Sequence, residues 1–310
     1  MVKKIKIFRN FEINKAYKKS LILVGNFDGL HVGHQKLFKH AQKYKKKFKL
    51  KIGVITFDPI PKMFFNKEIK NYRISNFNQQ VSYLNKYGVD FLINKTFNKE
   101  FSKIRSHEFI KKIISKKLNA KYIFVSNNFR FGYKREGDVK LLKLYQSICD
   151  YKLINPKTLK KNKKIISSTY IRTLLQNGYL GEANKLLTRN WTIEGKVEKG
   201  RMMGKKIGFP TCNLNIGNYV IAKPGVYAVK IIINKNKKIY RGIANLGYRP
   251  TFNQKKILLE VNIFNFSGNL YNKKLSVQFL KFIRGEKKFN GIDELRNQIK
   301  RDLFIAKKTK

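Results

Sequence analysis

LILVGNFDGLHVGHQ, residues 21–35, reads as a short apolar run, a glycine-punctuated turn and the opening of a helix. LILVGNFD has strand character, Gly25 and Gly29 let the chain turn, and Gly33 begins GHQKLFKHAQKYKKK, whose apolar residues recur at helical spacing. A strand that turns straight into a helix presents unpaired backbone N–H groups and the positive end of the helix dipole, a setting suited to phosphate. His31 and His34, two of only four histidines in the chain, fall at this junction. Their imidazoles can donate hydrogen bonds to phosphoryl oxygens as charge develops, so no dedicated nucleophile is needed. An isolated HxxH is more often a structural pair at a helix start, or half of a zinc site. The strand-turn-helix context favours the phosphate reading here, and no third metal ligand stands nearby in the sequence.

Working outward, strand-like runs alternate with helical ones through about residue 186. KLKIGVITFD, VDFLI and KYIFVS read as strands; NFNQQVSYLNKYG, SHEFIKKIISKKL with Ser106 as N-cap, GDVKLLKLYQSIC and SSTYIRTLLQNG read as helices. This alternation predicts an open, doubly wound parallel sheet with helices, whose ligands sit beyond the carboxyl ends of the strands. From Trp191 the texture changes. WTIEGKVEKG, GVYAVKIIINKNKKIYRGIANLG and ILLEVNIFNFSGNLYNKKLSVQFLKFI are strands joined by Asn, Lys and Gly turns, which predicts a small antiparallel β-barrel. Leu295, Ile299 and Leu303 recur every fourth residue in a closing helix. The expected division is an α/β domain over residues 1–186 and a barrel domain over 187–310, with a short join and no low-complexity tether.

Composition excludes several classes. The 310 residues are 42% hydrophobic and 28% charged, which is ordinary for a globular chain. No run approaches the roughly eighteen apolar residues of a membrane span, and the basic opening residues precede no apolar core, so neither membrane nor secretion is expected. Cys149 and Cys212 are far apart, which argues against a disulfide framework or a cysteine zinc site and for the reducing cytoplasm. The balance of 69 Lys and Arg against 18 Asp and Glu gives +51. That charge invites a nucleic-acid partner. The lysines are nevertheless spread along the whole chain, beside an excess of Asn, Ile, Phe and Tyr, so codon bias accounts for them better and no dedicated nucleic-acid partner is expected.

GNFDGLHVGHQ is similar to the HxGH signature of the nucleotidyltransferase superfamily. TFDPIP (residues 56–61), SNNFRFG (126–132) and ISSTYIR (166–172) then agree with one branch of it. Together they resemble the FMN adenylyltransferase module of the bacterial bifunctional riboflavin kinase/FMN adenylyltransferases, or FAD synthetases. The resemblance implies a Rossmann-like nucleotidyltransferase domain in which His31, His34 and Arg172 are catalytic. It also implies ATP and phosphate contacts at Gly25, Asn26, Phe27, Asp28, Gly29 and Gly33, and at Asn128, Ser168 and Thr169. Ser168 and Thr169 bring hydroxyls to a helix start and Arg172 a planar fork one turn later, all suited to a triphosphate. Taken alone, SSTxxR is an N-cap and a surface arginine. Ser126 stands where such proteins usually have glycine, a narrower choice of backbone dihedrals.

The barrel half carries GRMMGKKIGFPTCN, residues 200–213, which has one residue too few between its first two glycines for a Walker motif, and Lys where Ser or Thr should follow. It resembles the GFPTAN motif of riboflavin kinases, with Cys212 in place of Ala. By that resemblance Gly200, Gly204, Lys205, Gly208, Phe209, Pro210, Thr211, Asn213 and Arg284 contact ATP or flavin. Thr211 and Asn213 offer oxygen ligands to the Mg²⁺ that accompanies ATP. Glu260 takes the place of the general base for the ribityl hydroxyl, against the alternative of a solvated strand residue. Asn262 and Asn265 stand where many relatives have His and Asp. The implied activity is riboflavin to FMN and then FMN to FAD, each with ATP, with both flavins as product or substrate rather than tightly bound cofactor. The implied partners are riboflavin, FMN and ATP.

Overall fold

The computed structural model describes residues 4–161, 164–200, 204, 207–234, 238–250 and 255–309, the side chains of 249, 250, 255 and 256 excepted. Packing divides the chain into two units: Met1–Lys70 with Phe77–Ser167, and Asn71–Asn76 with Ser168–Lys310.

In the first unit, β1 (Lys6–Phe8), β2 (Leu21–Val24), β3 (Ile52–Asp58), β4 (Phe91–Thr96), β5 (Tyr122–Phe124) and β6 (Lys152–Ile154) form one sheet in the order β1-β4-β3-β2-β5-β6. Every pairing in it is parallel. Neighbouring residues of a strand feed opposite cores: Ile22, Val24, Ile55 and Ile93 go to one, and Leu21, Leu23, Val54 and Leu92 to the other. Both faces are therefore covered, which is why β2 is apolar without alternation. From β2 the chain builds outward through β3 and β4, then returns to lay β5 and β6 on the other side of β2. That reversal places the switch point between the carboxyl ends of β2 and β5, where sheets of this kind bind ligands. GNFDGLH leaves β2 there, and SNNFRFG leaves β5.

Two strands of this sheet were not announced by the sequence pattern. β1 and β6 have three residues each and lie at the sheet edges, too short for a periodicity to show. The helix expected over SHEFIKKIISKKL begins at Ser106–Glu108 and widens into a π-helical stretch, Phe109–Lys117; Arg105, not Ser106, is the N-cap. Ser106 is buried instead, and its backbone N–H and hydroxyl both donate to Glu136 Oε1, at 2.7 and 3.1 Å. A two-residue antiparallel pair, β7 (Lys160–Lys161) and β8 (Lys164–Ile165), precedes the second unit.

The second unit opens with the helices Ser168–Gln176 and Leu180–Leu187, the first stopped at Gly178, whose φ is +81°. β9 (Thr192–Glu198), β10 (Cys212–Asn215), β11 (Gly225–Ile233), β12 (Ile239–Pro250), β13 (Lys255–Ile263) and β14 (Lys274–Gly285) then close into a barrel, in the order β10-β13-β12-β11-β14-β9. All its pairings are antiparallel, and β9 seals it by pairing with both β14 and β10. Trp191 packs on Phe279 at 4.7 Å between ring centres, and Phe279 on Tyr227 at 5.0 Å.

Residues 71–76 are threaded through this unit. The N–H groups of Tyr72 and Arg73 both donate to the Asn218 carbonyl (2.9 and 2.8 Å), and Val220 N–H donates to the Arg73 carbonyl (2.8 Å). The buried indole N–H of Trp191 donates to the Ile74 carbonyl at 3.0 Å. The packing division therefore falls before Ser168 and takes in this six-residue strap, whereas the pattern of elements suggested a join near residue 187. In the closing helix, Ile292–Lys308, the expected face of Leu295, Ile299 and Leu303 is half-buried, and Asp302 and Ala306 are its most buried residues. Asp302 accepts from Arg284 Nε at 2.9 Å and from Arg284 Nη2 at 2.8 Å, which pins the helix to β14.

Candidate active sites

In the first unit the site is made by the backbone. Gly25 N–H donates to the Ile55 carbonyl at 3.1 Å, so sheet bonding continues past β2 into the motif. The chain then turns through three left-handed positions, Phe27 (φ 46°), Gly29 (φ 78°) and Leu30 (φ 38°). Two of these are not glycine, and each costs on the order of 1 kcal/mol or more that the surroundings must offset. The offset is visible: the Phe27 ring packs edge-on against Phe38 (5.0 Å) and His34 (5.2 Å). The Asn26 carbonyl accepts from the Gln80 amide at 2.6 Å and from the Thr56 hydroxyl at 3.3 Å.

This turn delivers His31 to the N-cap of the helix Val32–Phe48, with Gly33 in the first turn. His31 Nδ1 accepts from His34 N–H at 3.4 Å, which makes Nδ1 the acceptor and leaves Nε2 as the ring's donor. The two imidazoles are stacked, 3.7 Å between centres and 22° between planes. His31 and Asp28 are each only 3% exposed. The Asn26 side-chain oxygen is buried and has no hydrogen-bond partner. An unmet buried acceptor of this kind costs about 1–3 kcal/mol until a ligand donates to it.

Other residues expected at this site are placed as follows. Asn128 is exposed and accepts from the Ser126 hydroxyl at 2.9 Å; Ser126 is not left-handed, so the glycine it replaces is not needed for its backbone. Ser168 and Thr169 open the helix Ser168–Gln176, half-buried and exposed respectively. Arg172, on the same helix, packs with the second unit. It is 7% exposed, Nε donates to the Tyr72 carbonyl at 2.7 Å, and the guanidinium lies 3.6 Å from the centre of the Tyr72 ring.

In the second unit the site is made by side chains in register. A cavity of about 530 Å³ is lined by Glu198, Gly200, Gly204, Pro210, Thr211, Asn213 and Glu260, among others. Asn213 on β10 is directly opposite Glu198 on β9 and Glu260 on β13, and Glu260 is directly opposite Asn245 on β12. Directly opposed residues share a face, so these four form one polar row across four strands. Asn213 is 7% exposed, and its side-chain oxygen has no hydrogen-bond partner. Gly200 lies so close that a Cβ there would fall 1.6 Å from the Asn213 amide nitrogen. Phe209 N–H donates to the Gly204 carbonyl at 2.7 Å, and the Asn262 side-chain amide donates to the Pro210 carbonyl at 2.7 Å, so the GFPT loop is held through its two middle residues. Asn262, a departure from the family pattern, thus has a defined job, and Asn265 adopts the left-handed φ of 52° that asparagine tolerates.

Gly208 (φ 89°) and Phe209 belong to the same loop without lining the cavity, and Lys205 lies outside the described residues. Arg284 does not line the cavity; it is engaged by Asp302. Burial pushes the Cys212 thiol up to about 12, so at neutral pH it is a neutral wall of the cavity. The cavity also includes Glu198 and the loop Phe266–Tyr271, which no motif had singled out. Strand register alone would have found Glu198. Among the described residues no group of three or more His, Cys, Asp or Glu could hold a metal ion unaided.

A strand-turn-helix phosphate cradle on a doubly wound sheet, followed by a closed barrel with an acid and amide row, defines a two-part transferase acting on nucleotides. Comparison with known proteins narrows the class. Residues 13–170 match the family model for FAD synthetase, and residues 187–310 match that for riboflavin kinase. The bifunctional riboflavin kinase/FMN adenylyltransferase of Buchnera aphidicola from Schizaphis graminum is 39% identical, covering 96% of each chain. The enzyme of the same name from Escherichia coli K12 is 33% identical, covering 95% of this chain and 94% of that one. A crystal structure from Streptococcus pneumoniae, named as a macrolide-efflux protein, is 31% identical with a TM-score of 0.86, covering 99% of this chain and 100% of that one. Among the described residues here no helix is long and apolar enough to cross a membrane. The chain belongs to the bifunctional riboflavin kinase/FMN adenylyltransferase family. It is an enzyme of flavin cofactor synthesis, phosphorylating riboflavin to FMN and adenylylating FMN to FAD.

Proposed function

We propose that the two reactions are divided between residues 1–186, which carry adenylyl transfer, and 187–310, which carry phosphorylation, with the following roles. In the barrel, the Glu260 carboxylate takes the proton of the terminal ribityl hydroxyl. The hydroxyl oxygen attacks the γ-phosphorus of ATP, and ADP leaves. Thr211, Asn213 and the backbone around Gly200 and Gly204 orient the phosphates, mainly by positioning and electrostatics. The unmet buried oxygen of Asn213, the Thr211 hydroxyl and the nearby carboxylates are hard oxygen donors that fit Mg²⁺ sharing its shell with a nucleotide. Bound with ATP, the ion supplies positive charge where phosphoryl charge develops.

In the α/β site a phosphate oxygen of FMN attacks the α-phosphorus of a second ATP, and pyrophosphate leaves. The His31 Nε2–H, His34 and the N–H groups that open the Val32–Phe48 helix hold the charge on the transferring and leaving groups. The observation that carries this reading is the pairing, in one chain, of stacked imidazoles at a helix start with an in-register Asn213–Glu260 pair at a cavity. The reactions are further assigned to the cytoplasm, without a nucleic-acid partner, the spread of charge along the chain supporting composition as its source. Incubation with riboflavin and MgATP, followed by separation of the flavins, tests the reading: FMN should appear first and FAD second. A chain that consumes no riboflavin overturns it.

A further inference from the structure

The turn that builds the α/β cradle is held from outside by a side chain that no motif singled out. Gln80 lies on the helix Phe77–Lys86, 54 residues beyond Asn26. It is 3% exposed, and its side-chain amide donates to the Asn26 carbonyl at 2.6 Å. The buried Thr56 hydroxyl on β3 donates to the same carbonyl at 3.3 Å. That oxygen belongs to the peptide joining Asn26 to Phe27, and Phe27 is the first left-handed residue of the turn, with φ 46°. A trans peptide is planar, so its C=O and N–H point in opposite directions. Drawing the carbonyl toward Gln80 and Thr56 therefore turns the Phe27 N–H the other way. Among the described residues that N–H donates to no protein group, although Phe27 is itself buried. A donor left unmet in a buried turn is destabilising until an acceptor reaches it.

We infer that Gln80 is a positioning residue for adenylyl transfer: it fixes the Asn26–Phe27 peptide so that the Phe27 N–H serves as a preorganised donor to a phosphoryl oxygen. The inference rests on the adenylyl-transfer reading of this site. Backbone N–H groups gathered around left-handed residues form a concavity suited to anions, and Phe27, Gly29 and Leu30 supply the left-handed positions here. Such a donor helps the reaction only if its direction is set before the charge develops. Backbone preference does not set it, because a left-handed φ is a strained choice for phenylalanine. The hydrogen bond from Gln80, made inside the fold, opposes the peptide rotation that would relieve that strain. Buried as it is, Gln80 acts through the backbone and not on the substrate.

The test uses the full chain and two substitutions of similar shape, Gln80→Met and Gln80→Glu. FAD formation from supplied FMN and MgATP is followed from about pH 8 down to about pH 6, a range that brackets a raised carboxyl pKa, with riboflavin phosphorylation measured alongside. Gln80→Met removes the donor at every pH. Its kcat for FAD formation should fall about tenfold, less than for outright loss of a preorganised donor, while the KM for ATP moves little. Gln80→Glu carries its own rescue. Ionised, the carboxylate only accepts and has no proton to give the Asn26 carbonyl; protonated, its O–H donates as the amide N–H does. Burial disfavours the charged form and raises the carboxyl pKa, so the donor is present below that raised pKa and lost above it. FAD formation by Gln80→Glu relative to wild type should therefore climb as the pH falls, whereas the ratio for Gln80→Met stays flat. A merely structural role would not separate the two profiles. Should one variant fail to fold, as judged by thermal melting, the other carries the test alone: Met through the split between kcat and KM, Glu through comparison with itself across pH. Wild-type kcat and flat ratios in the folded variants overturn the role of Gln80 and leave the adenylyl-transfer reading standing. So does a loss of riboflavin phosphorylation equal to the loss of FAD formation. A wild-type chain that makes no FAD from FMN overturns the adenylyl-transfer reading itself.

Discussion

The α/β site is laid down by one run of consecutive residues from Val24 to Gln35, whereas the barrel site gathers Glu198, Asn213 and Glu260 from three strands. In the first, the backbone does the positioning: left-handed turns and a helix start aim N–H groups, and two imidazoles stack above them. In the second, the backbone is ordinary antiparallel ladder, and strand register decides which side chains meet. The contrast teaches where each site is fragile. A backbone-built cradle depends on dihedrals and on the groups that hold them, while a register-built row depends on each side chain having room in its place.

The largest expected effect separates the two sites outright. Glu260→Gln keeps shape and most hydrogen bonding but cannot accept a proton, so riboflavin phosphorylation should fall ~10²-fold or more in kcat with substrate binding retained. FAD formation from supplied FMN should continue. Parallel loss of both activities in a folded variant would break the comparison at its root. His31→Ala and His34→Ala make the reciprocal test, and each should lower adenylyl transfer by about a hundredfold, as loss of one preorganised donor does, with FMN formation retained. Equal damage to both reactions would again contradict separate sites.

How much of this was legible in the sequence follows the same contrast. The first site could be read as a string because its parts are adjacent: GNFDGLHVGHQ names the strand, the turn, the cap and both imidazoles. Of the second site, GFPTCN was legible for the same reason, and Glu260 through its strand context. Glu198 was not, because it meets Asn213 only through the β9–β10 register, and a single sequence does not state its register. Arg284 was assigned to the ligand from its motif position, whereas the structure engages it with Asp302, a partner eighteen residues away on the closing helix. The strap at residues 71–76 was invisible for a different reason: its bonds to Asn218, Val220 and Trp191 are long-range and backbone-mediated, and leave no periodicity.

Crowding gives a sharper and smaller test. Gly200→Ala would put a methyl group 1.6 Å from the Asn213 amide nitrogen. Something must shift, at a cost of about 1–3 kcal/mol in stability, and kinase activity should drop with it. Gly181, within the Leu180–Leu187 helix, has nothing within 4 Å of its Cβ position, so Gly181→Ala should be neutral or raise stability by up to ~1 kcal/mol. Denaturant titration of both variants checks this pair; equal effects would mean that close approach at Gly200 is not what holds the row.

The strap tests where the barrel unit ends. A fragment of residues 187–310 removes the acceptor for the Trp191 indole N–H and the donors to Asn218. It should fold, since the closed barrel keeps its own core, but with stability lower by about 1–3 kcal/mol for the unmet indole. A fragment of residues 168–310 restores both helices but not the strap, so it should recover only part of the difference. Identical melting of the short fragment and the kinase unit in the full chain would show that the strap contributes nothing.

The smallest effect concerns Asn262, where many relatives carry histidine. Its amide donates to the Pro210 carbonyl at 2.7 Å and so anchors the loop that presents Thr211 to the cavity. The contact is exposed, so its loss in Asn262→Ala should cost only about 0.5–1 kcal/mol, at the low end for a hydrogen bond. A looser loop weakens ground-state and transition-state binding of the nucleotide alike, because the loop holds phosphates rather than moving the proton. The expected signature is therefore a KM for MgATP raised about threefold with kcat unchanged. Asn262→His offers a ring N–H in the same direction and should stay near wild type, which would explain how either residue serves at this position. If the alanine variant lowers kcat instead of raising KM, Asn262 acts on the chemical step through Glu260, two residues away on the same face of β13, and the division between loop and strand in this site is drawn in the wrong place.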